Sequence, residues 1–180
     1  LRLPLFFEVH RLSTFTPRSL DIDVVLDLMI HDIDVVLSLV GEMPEEIRAA
    51  GISILTPKVD IANVRLAFPG GCVANLTASR VSTERVRKLR MFQPHQYISV
   101  DYSKQEAFCL AVTGGRDISS NALKTERNEP LLLELESFFQ CVRDRSRPRV
   151  SGEDATRALE VALSILVKIE EHSRVVARSL

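Results

Sequence analysis

VLDLMIHDIDVVLSLVG, residues 25–41, is apolar at most positions, yet it carries Asp27, His31, Asp34 and Ser38. On an α-helix each residue turns about 100°, so these four positions fall within roughly 60° of one another. Asp23 continues the same line, whereas Asp21 and Asp32 lie off it. No Lys or Arg occurs between Asp21 and Val40, although a surface helix normally shows a broad charged face. The pattern predicts a mostly buried helix with one narrow polar seam turned towards a groove. Asp21 or Asp23 is expected to cap its start. Gly41 is expected to cap its end, and Pro44 prevents continuation.

Working outward, PLFFEVHRLSTF (residues 4–15) alternates apolar with polar residues and reads as a strand. Beyond the helix the period changes to two. EEIRAAGISIL and VDIANVRLAF read as strands, and the turn FPGG (68–71) should pair VRLAF with CVANLTASRV as a hairpin. KLRMF, YISVDY and AFCLAV continue the meander through QPHQ and SKQE, while residues 113–128 read as an exposed loop. Two helices close the chain. Pro130 suits a first helical turn, and LLLELESFFQCVRDR repeats apolar residues at three- and four-residue spacing, as a core-facing helix does. Ser151 with Asp154 forms a near capping box ahead of ATRALEVALSILVKIEE.

Strand, helix, many strands and two helices make an α+β domain: an open, mostly antiparallel sheet of about six strands, with helices packed on one face. Strands such as ISIL and FCLAV are apolar at both parities. The other sheet face is therefore available for oligomerisation. The 180 residues suit one domain, 46% hydrophobic and 26% charged, which is the composition of a globular protein. Acidic and basic residues number 24 and 23, so net charge implies no nucleic-acid partner. Arg80, Arg85, Arg87, Lys88 and Arg90 lack interleaved aromatics and read as a solvated strand face and turn. The three cysteines are widely spaced and fit neither a disulfide framework nor a zinc site, which favours the reducing cytoplasm. No apolar run reaches the roughly 20 residues that span a bilayer. The chain opens without Met, so it is expected to be part of a longer protein.

The chemistry concentrates on the seam. Asp27 and His31 stand four apart, within reach of a carboxylate–imidazole contact. A nearby carboxylate raises a His pKa and orients its ring, as general acid/base work near neutral pH requires. The same pair also fits an ordinary structural contact, and one His with a few oxygens on a single helix is a poor metal site. His10, Arg11 and Arg18, at the end of the first strand and in the connection to the helix, are candidates for the same cleft. No GxGxxG, Walker or GxSxG motif occurs.

Taken in order, PLFFEVHRLSTF, LDLMIHDIDVVLSLVG, VRLAFPGGCVANLTASRVS and EPLLLELESFFQCVRDRSRPRVSGEDATRALEVALSI resemble the C-terminal domain of the Gfo/Idh/MocA family of NAD(P)-dependent oxidoreductases. The second contains the family's D-x-x-x-H-x-x-D helix and the last its P-x-V-S-G-E-D join. The resemblance spans essentially residues 1–180 as a single substrate-binding and oligomerisation domain. It implies hydride transfer between NAD or NADP and a sugar, polyol or nucleotide-sugar alcohol. His31 would be the acid/base, Asp27 its partner and Asp34 a supporting group. HRLSTFTPRS is similar to members working on nucleotide-linked amino sugars, where Arg11 or Arg18 would meet a phosphate. A homodimer or tetramer is implied.

The sequence departs from the family pattern in three ways. The Rossmann domain with its glycine-rich loop is missing, as is the later Glu-Lys-Pro whose Lys assists catalysis. The usual G-x-x-G turn is replaced by Gln93-Pro94-His95-Gln96. No cofactor-binding residue is therefore assigned in this chain, which alone is expected to be inactive. The competing expectation is a non-catalytic scaffold or sensor that keeps the fold.

Overall fold

The computed structural model describes residues 4–113 and 117–178. Its first strand, β1 (Phe6–Leu12), leads through an irregular connection into a helix. That helix opens with a π-helical turn (Val25–Met29) and continues as α1 (Ile30–Val40). Then follow β2 (Glu46–Ile52), β3 (Ile61–Ala67), β4 (Val73–Ser79), β5 (Val86–Gln93), β6 (Gln96–Asp101), β7 (Glu106–Thr113) and β8 (Asp117–Leu123). The helices α2 (Pro130–Asp144) and α3 (Gly152–Ala177) close the chain.

Among the described residues eight strands form one open sheet, in the order β2-β3-β4-β1-β5-β6-β7-β8. All neighbours are antiparallel except β1 and β4. The fold is thus α+β with a mixed, mostly antiparallel sheet. It has eight strands where about six were expected. The additional edge is β8, in the region read as a loop; residues 114–116 of that region lie outside those described. Its sequence, DISSNAL, carries little apolar signal, and Ile118 is 75% exposed. The strand exists because β7 offers a full backbone ladder, which sequence alternation does not record.

Side chains alternate across a strand, and this decides the layers. Phe7 and Val9 of β1, Val64 and Leu66 of β3, Ala74 and Leu76 of β4, and Leu89 and Met91 of β5 face one side. There they pack against Met29, Ile33, Val36 and Leu37 of the first helix and Val161, Ala162 and Ile165 of α3. α3 comes so close to β2 that a Cβ on Gly51 would lie 2.8 Å from Ile169 Cγ2 and 2.8 Å from Val59 Cγ1. Only glycine permits that approach.

The helix ends follow local chemistry. Gly41 takes the left-handed conformation, with φ of 80°, and its amide donates to Leu37 O. Ser151 and Asp154 complete the capping box. The start of the first helix differs from expectation. Val24 stands at the cap with no side-chain hydrogen bond, because Asp23 Oδ1 accepts instead from the amide of Val59 at 2.8 Å. The expected core-facing role of α2 is also overturned: none of its residues is buried, and Leu131, Leu132, Leu133, Leu135, Phe138 and Phe139 are exposed. The apolar repeat is real, but nothing among the described residues buries it.

A buried polar knot holds the connections around this core. Asp60 Oδ2 accepts from the amides of Ile54, Leu55 and Thr56 at 2.8, 2.6 and 2.9 Å. Its Oδ1 accepts from Thr56 Oγ1 at 2.7 Å, with Arg80 Nε at 3.7 Å. Arg80 also donates to the carbonyls of Ser19 and Ile22, so it is a buried structural residue and not part of a solvated face. Burial alone would raise the Asp60 pKa. The donors from Ile54, Thr56 and Leu55 outweigh it and hold the carboxyl at about 2 instead of the ordinary 3.8.

Two outcomes are expected. Gly51→Ala forces Ile169 or Val59 to move and lowers stability by roughly 1–3 kcal/mol, read by urea unfolding; an unchanged midpoint would contradict the close approach. The Asp60 contribution is fully present above the unfolded-state pKa near 4 and is lost as pH falls towards 2. Asp60→Asn should therefore cost roughly 2–4 kcal/mol at pH 7 and flatten the stability profile between pH 4 and 2. Superimposable profiles for variant and parent would refute this.

Candidate functional site

The seam predicted on the first helix is open in the structure. His31 and Ser38 are exposed, and Asp27 and Asp34 are half-buried. Their neighbours Met29, Ile33, Val36 and Leu37 are buried in the core. Asp27 lies in the π-turn, where the amide of Ile30 donates to Val25 O five residues back. That wider winding shifts Asp27 from the ideal helical spacing to His31. No hydrogen bond or ion pair joins the two side chains. Ser38 Oγ donates to Val35 O at 2.8 Å.

Asp34 and Ser38 line a cleft of about 490 Å³ together with Val35, Leu37, Gly41, Arg149, Val150, Asp154 and Arg157. The seam therefore runs into a hollow between α1 and the α2–α3 connection. Two of its cations, Arg149 and Arg157, went unnoticed in the sequence. Arg157 could have been found as the residue three beyond Asp154 on α3.

The candidates at the end of β1 separate. Arg11 shares the parity of Phe7 and Val9 and reaches the helix side. There its Nε and Nη2 donate to Asp32 Oδ2 and Oδ1 at 2.6 and 2.7 Å. Burial works against the Arg11 charge, but the bonds to Asp32 more than offset it and raise its pKa. Asp32, the acid set aside because it lies off the seam, is thus the inward-facing anchor of the helix. His10 has the opposite parity and lies on the other face of the sheet, opposite Lys88, away from the seam. Arg18 is exposed in the connection between β1 and the helix.

Two further residues join the Arg11–Asp32 pair. Arg87 stands directly across from Arg11 on β5. Tyr102, whose amide donates to Arg87 O at 2.9 Å, has its pKa raised by burial and then by Asp32, with Arg11 opposing. Of the rest of the basic segment, Arg90 pairs with Glu8 and Lys88 with Asp101. This ion-paired strand is not a free basic stripe for nucleic acid.

The chain offers no cradle for a dinucleotide pyrophosphate at its Gly70–Gly71 pair. That pair is the β3–β4 hairpin turn, and the Gly70 amide is already taken by the Glu42 carboxylate at 3.1 Å. A carboxylate at that point repels a phosphate. Among the described residues no helix is long and apolar enough to cross a membrane.

The chain resembles curated proteins over most of its length. The chain is 36% identical over 172 residues to UDP-N-acetylglucosamine 3-dehydrogenase of Acidithiobacillus ferrooxidans, covering 93% of this chain and 55% of that protein. It is 29% identical over 158 residues to myo-inositol 2-dehydrogenase of Thermotoga maritima, covering 82% and 47%. It thus spans about half the length of the curated relatives it matches. The solved structure of the Acidithiobacillus enzyme superposes with a TM-score of 0.87 at 36% identity, over 93% of this chain and 54% of that one. Levoglucosan dehydrogenase in complex with NADH shares the fold, with a TM-score of 0.82 at 15% identity, over 94% and 57%. Residues 7–100 match the model of the GFO/IDH/MocA C-terminal domain. Strand, striped helix and meander together place this chain in the GFO/IDH/MocA C-terminal domain family.

Proposed function

We propose that this chain is the substrate-binding and proton-transfer half of an NAD(P)-dependent dehydrogenase acting on the alcohol of a sugar or nucleotide-linked sugar. The observation that carries this reading is the open seam: an exposed His31, flanked by Asp27 and Asp34, on a helix whose inner face (Met29, Ile33, Val36 and Leu37) is buried in the core. The similarity to UDP-N-acetylglucosamine 3-dehydrogenase supports the nucleotide-linked class. The Gly70–Gly71 turn does not fit a dinucleotide pyrophosphate, and its binding is assigned to the part of such enzymes that this chain does not match. The nicotinamide, held there, supplies the hydride acceptor.

His31 is the proton-transfer residue. Its neutral imidazole takes the hydroxyl proton as the carbinol carbon is oxidised, and an exposed ring on a rigid helix meets the positional demand of that role. Asp27 makes no hydrogen bond or ion pair with His31, so its proposed part is a through-space one, a negative charge on the preceding turn that favours the imidazolium. Asp34, on the wall of the cleft, orients the sugar, and Arg18, exposed in the connection before the helix, is the proposed contact for a charged end of the substrate. Arg11 is spent on Asp32 and acts as a positioning residue for the helix. The three unpaired cysteines suit a cytoplasmic protein.

The open sheet face is proposed as the homodimer surface. Phe6, Phe92, Tyr97 and Phe108 form a continuous aromatic row there, with centroids 5.7, 4.9 and 6.5 Å apart. Such a row buries well against a copy of itself, and His10 lies on the same face.

In a two-domain enzyme carrying this chain, His31→Ala should lower kcat by roughly two to four powers of ten while leaving dinucleotide affinity unchanged. An undiminished rate would dispose of the assignment. Sedimentation of the chain should show a dimer that Phe92→Arg weakens at least about ten-fold, a loss typical of a charge placed in an apolar contact. A monomeric parent chain would refute the dimer.

A further inference from the structure

Asp32 spends both carboxylate oxygens on Arg11, at 2.6 and 2.7 Å. Arg87 stands directly across the ladder from Arg11, an arrangement of like charges that destabilises neighbouring strands. Among the described residues no second carboxylate is recorded acting on Arg87. Arg87 Nε is buried and has no hydrogen-bond partner. A buried donor without an acceptor is costly, and one on a charged group more so. Burial, then Arg11, then Arg85 all disfavour the Arg87 charge, with Asp32 only partly offsetting them. The charge count of this corner is therefore three arginines against one carboxylate, with the Tyr102 phenol beside them.

We propose that Arg87, flanked by Arg85, is an anion-binding residue that receives a phosphate or diphosphate group of the substrate, with the Arg11–Asp32 pair as its fixed support. This rests on the function proposed above and deepens it by assigning the phosphate contact to Arg87 and not to Arg11. A guanidinium presents parallel N–H donors that match two phosphate oxygens. An arriving anion relieves the repulsion between Arg11 and Arg87 as it binds, and the Tyr102 hydroxyl supplies a further donor. Arg87 has the parity of Arg11 and so lies on the sheet face that the first helix covers, where Asp32 also points.

The test is calorimetric titration of the folded chain with inorganic pyrophosphate at low ionic strength. Saturable binding is expected, weakened at least about ten-fold by Arg87→Gln, the scale of one charge-assisted contact. Arg87→Lys, which keeps the charge and guards against loss of fold, should restore much of the affinity. Arg65→Gln, on the opposite sheet face, should leave it intact. No saturable binding, an unaltered affinity in Arg87→Gln, or an equal loss in Arg65→Gln would each overturn the proposal. His31→Ala should bind pyrophosphate like the parent chain. Binding lost in Arg87→Gln while His31→Ala leaves catalysis of the two-domain enzyme untouched would keep the anion site and discard only the acid/base role.

Discussion

The buried pair between Arg11 and Asp32 sets how the first helix sits on the sheet. Two parallel donors fix the guanidinium plane on the carboxylate, and both groups are nearly removed from water. Such a pair adds little net stability against an apolar substitute of the same volume, but breaking it by removing one partner strands a charge in the core. Its value here is orientation. With Asp32 held against β1, the rotation of α1 is settled, and the stripe of His31, Asp34 and Ser38 must face away from the sheet. A slip of one residue would bury His31 and expose Asp32. The ion pair therefore stands upstream of every role proposed for the seam.

The same pair shows where sequence reading succeeds and where it stops. Gly41, the FPGG hairpin and the Ser151–Asp154 box were legible because each is a local solution: a left-handed residue, a tight turn, a pair of side chains three apart. The seam was legible because helical spacing alone defines it. Asp32 was not. Its role depends on Arg11, 21 residues away in sequence and brought near only by tertiary packing. The π-turn at Val25–Met29 was hidden for a similar reason, since Asp23 is drawn off to the Val59 amide and leaves the helix start uncapped.

Two elements failed in opposite directions. β8 is a strand with almost no apolar signature, sustained by its ladder to β7. α2 has a strong apolar signature and no core to bury it in. Pattern reports what an element needs to cover and says nothing of which surface does the covering. In α2 the demand is unmet among the described residues, as an interface helix would leave it.

That unmet demand is continuous with the seam. Leu133, Leu135 and Phe138 of α2 line a hollow with Pro148, Arg149 and Val150. Arg149 and Val150 also line the cleft that holds Asp34 and Ser38. The apolar helix and the polar stripe thus border one another across a shared rim. A body laid over α2 for hydrophobic reasons would also roof the cleft beside the seam and exclude water from it. Lower local dielectric strengthens each charge–dipole interaction at such a site, so a surface that met the burial α2 requires would also shield Asp34, Arg149 and Arg157 of the adjoining cleft from water.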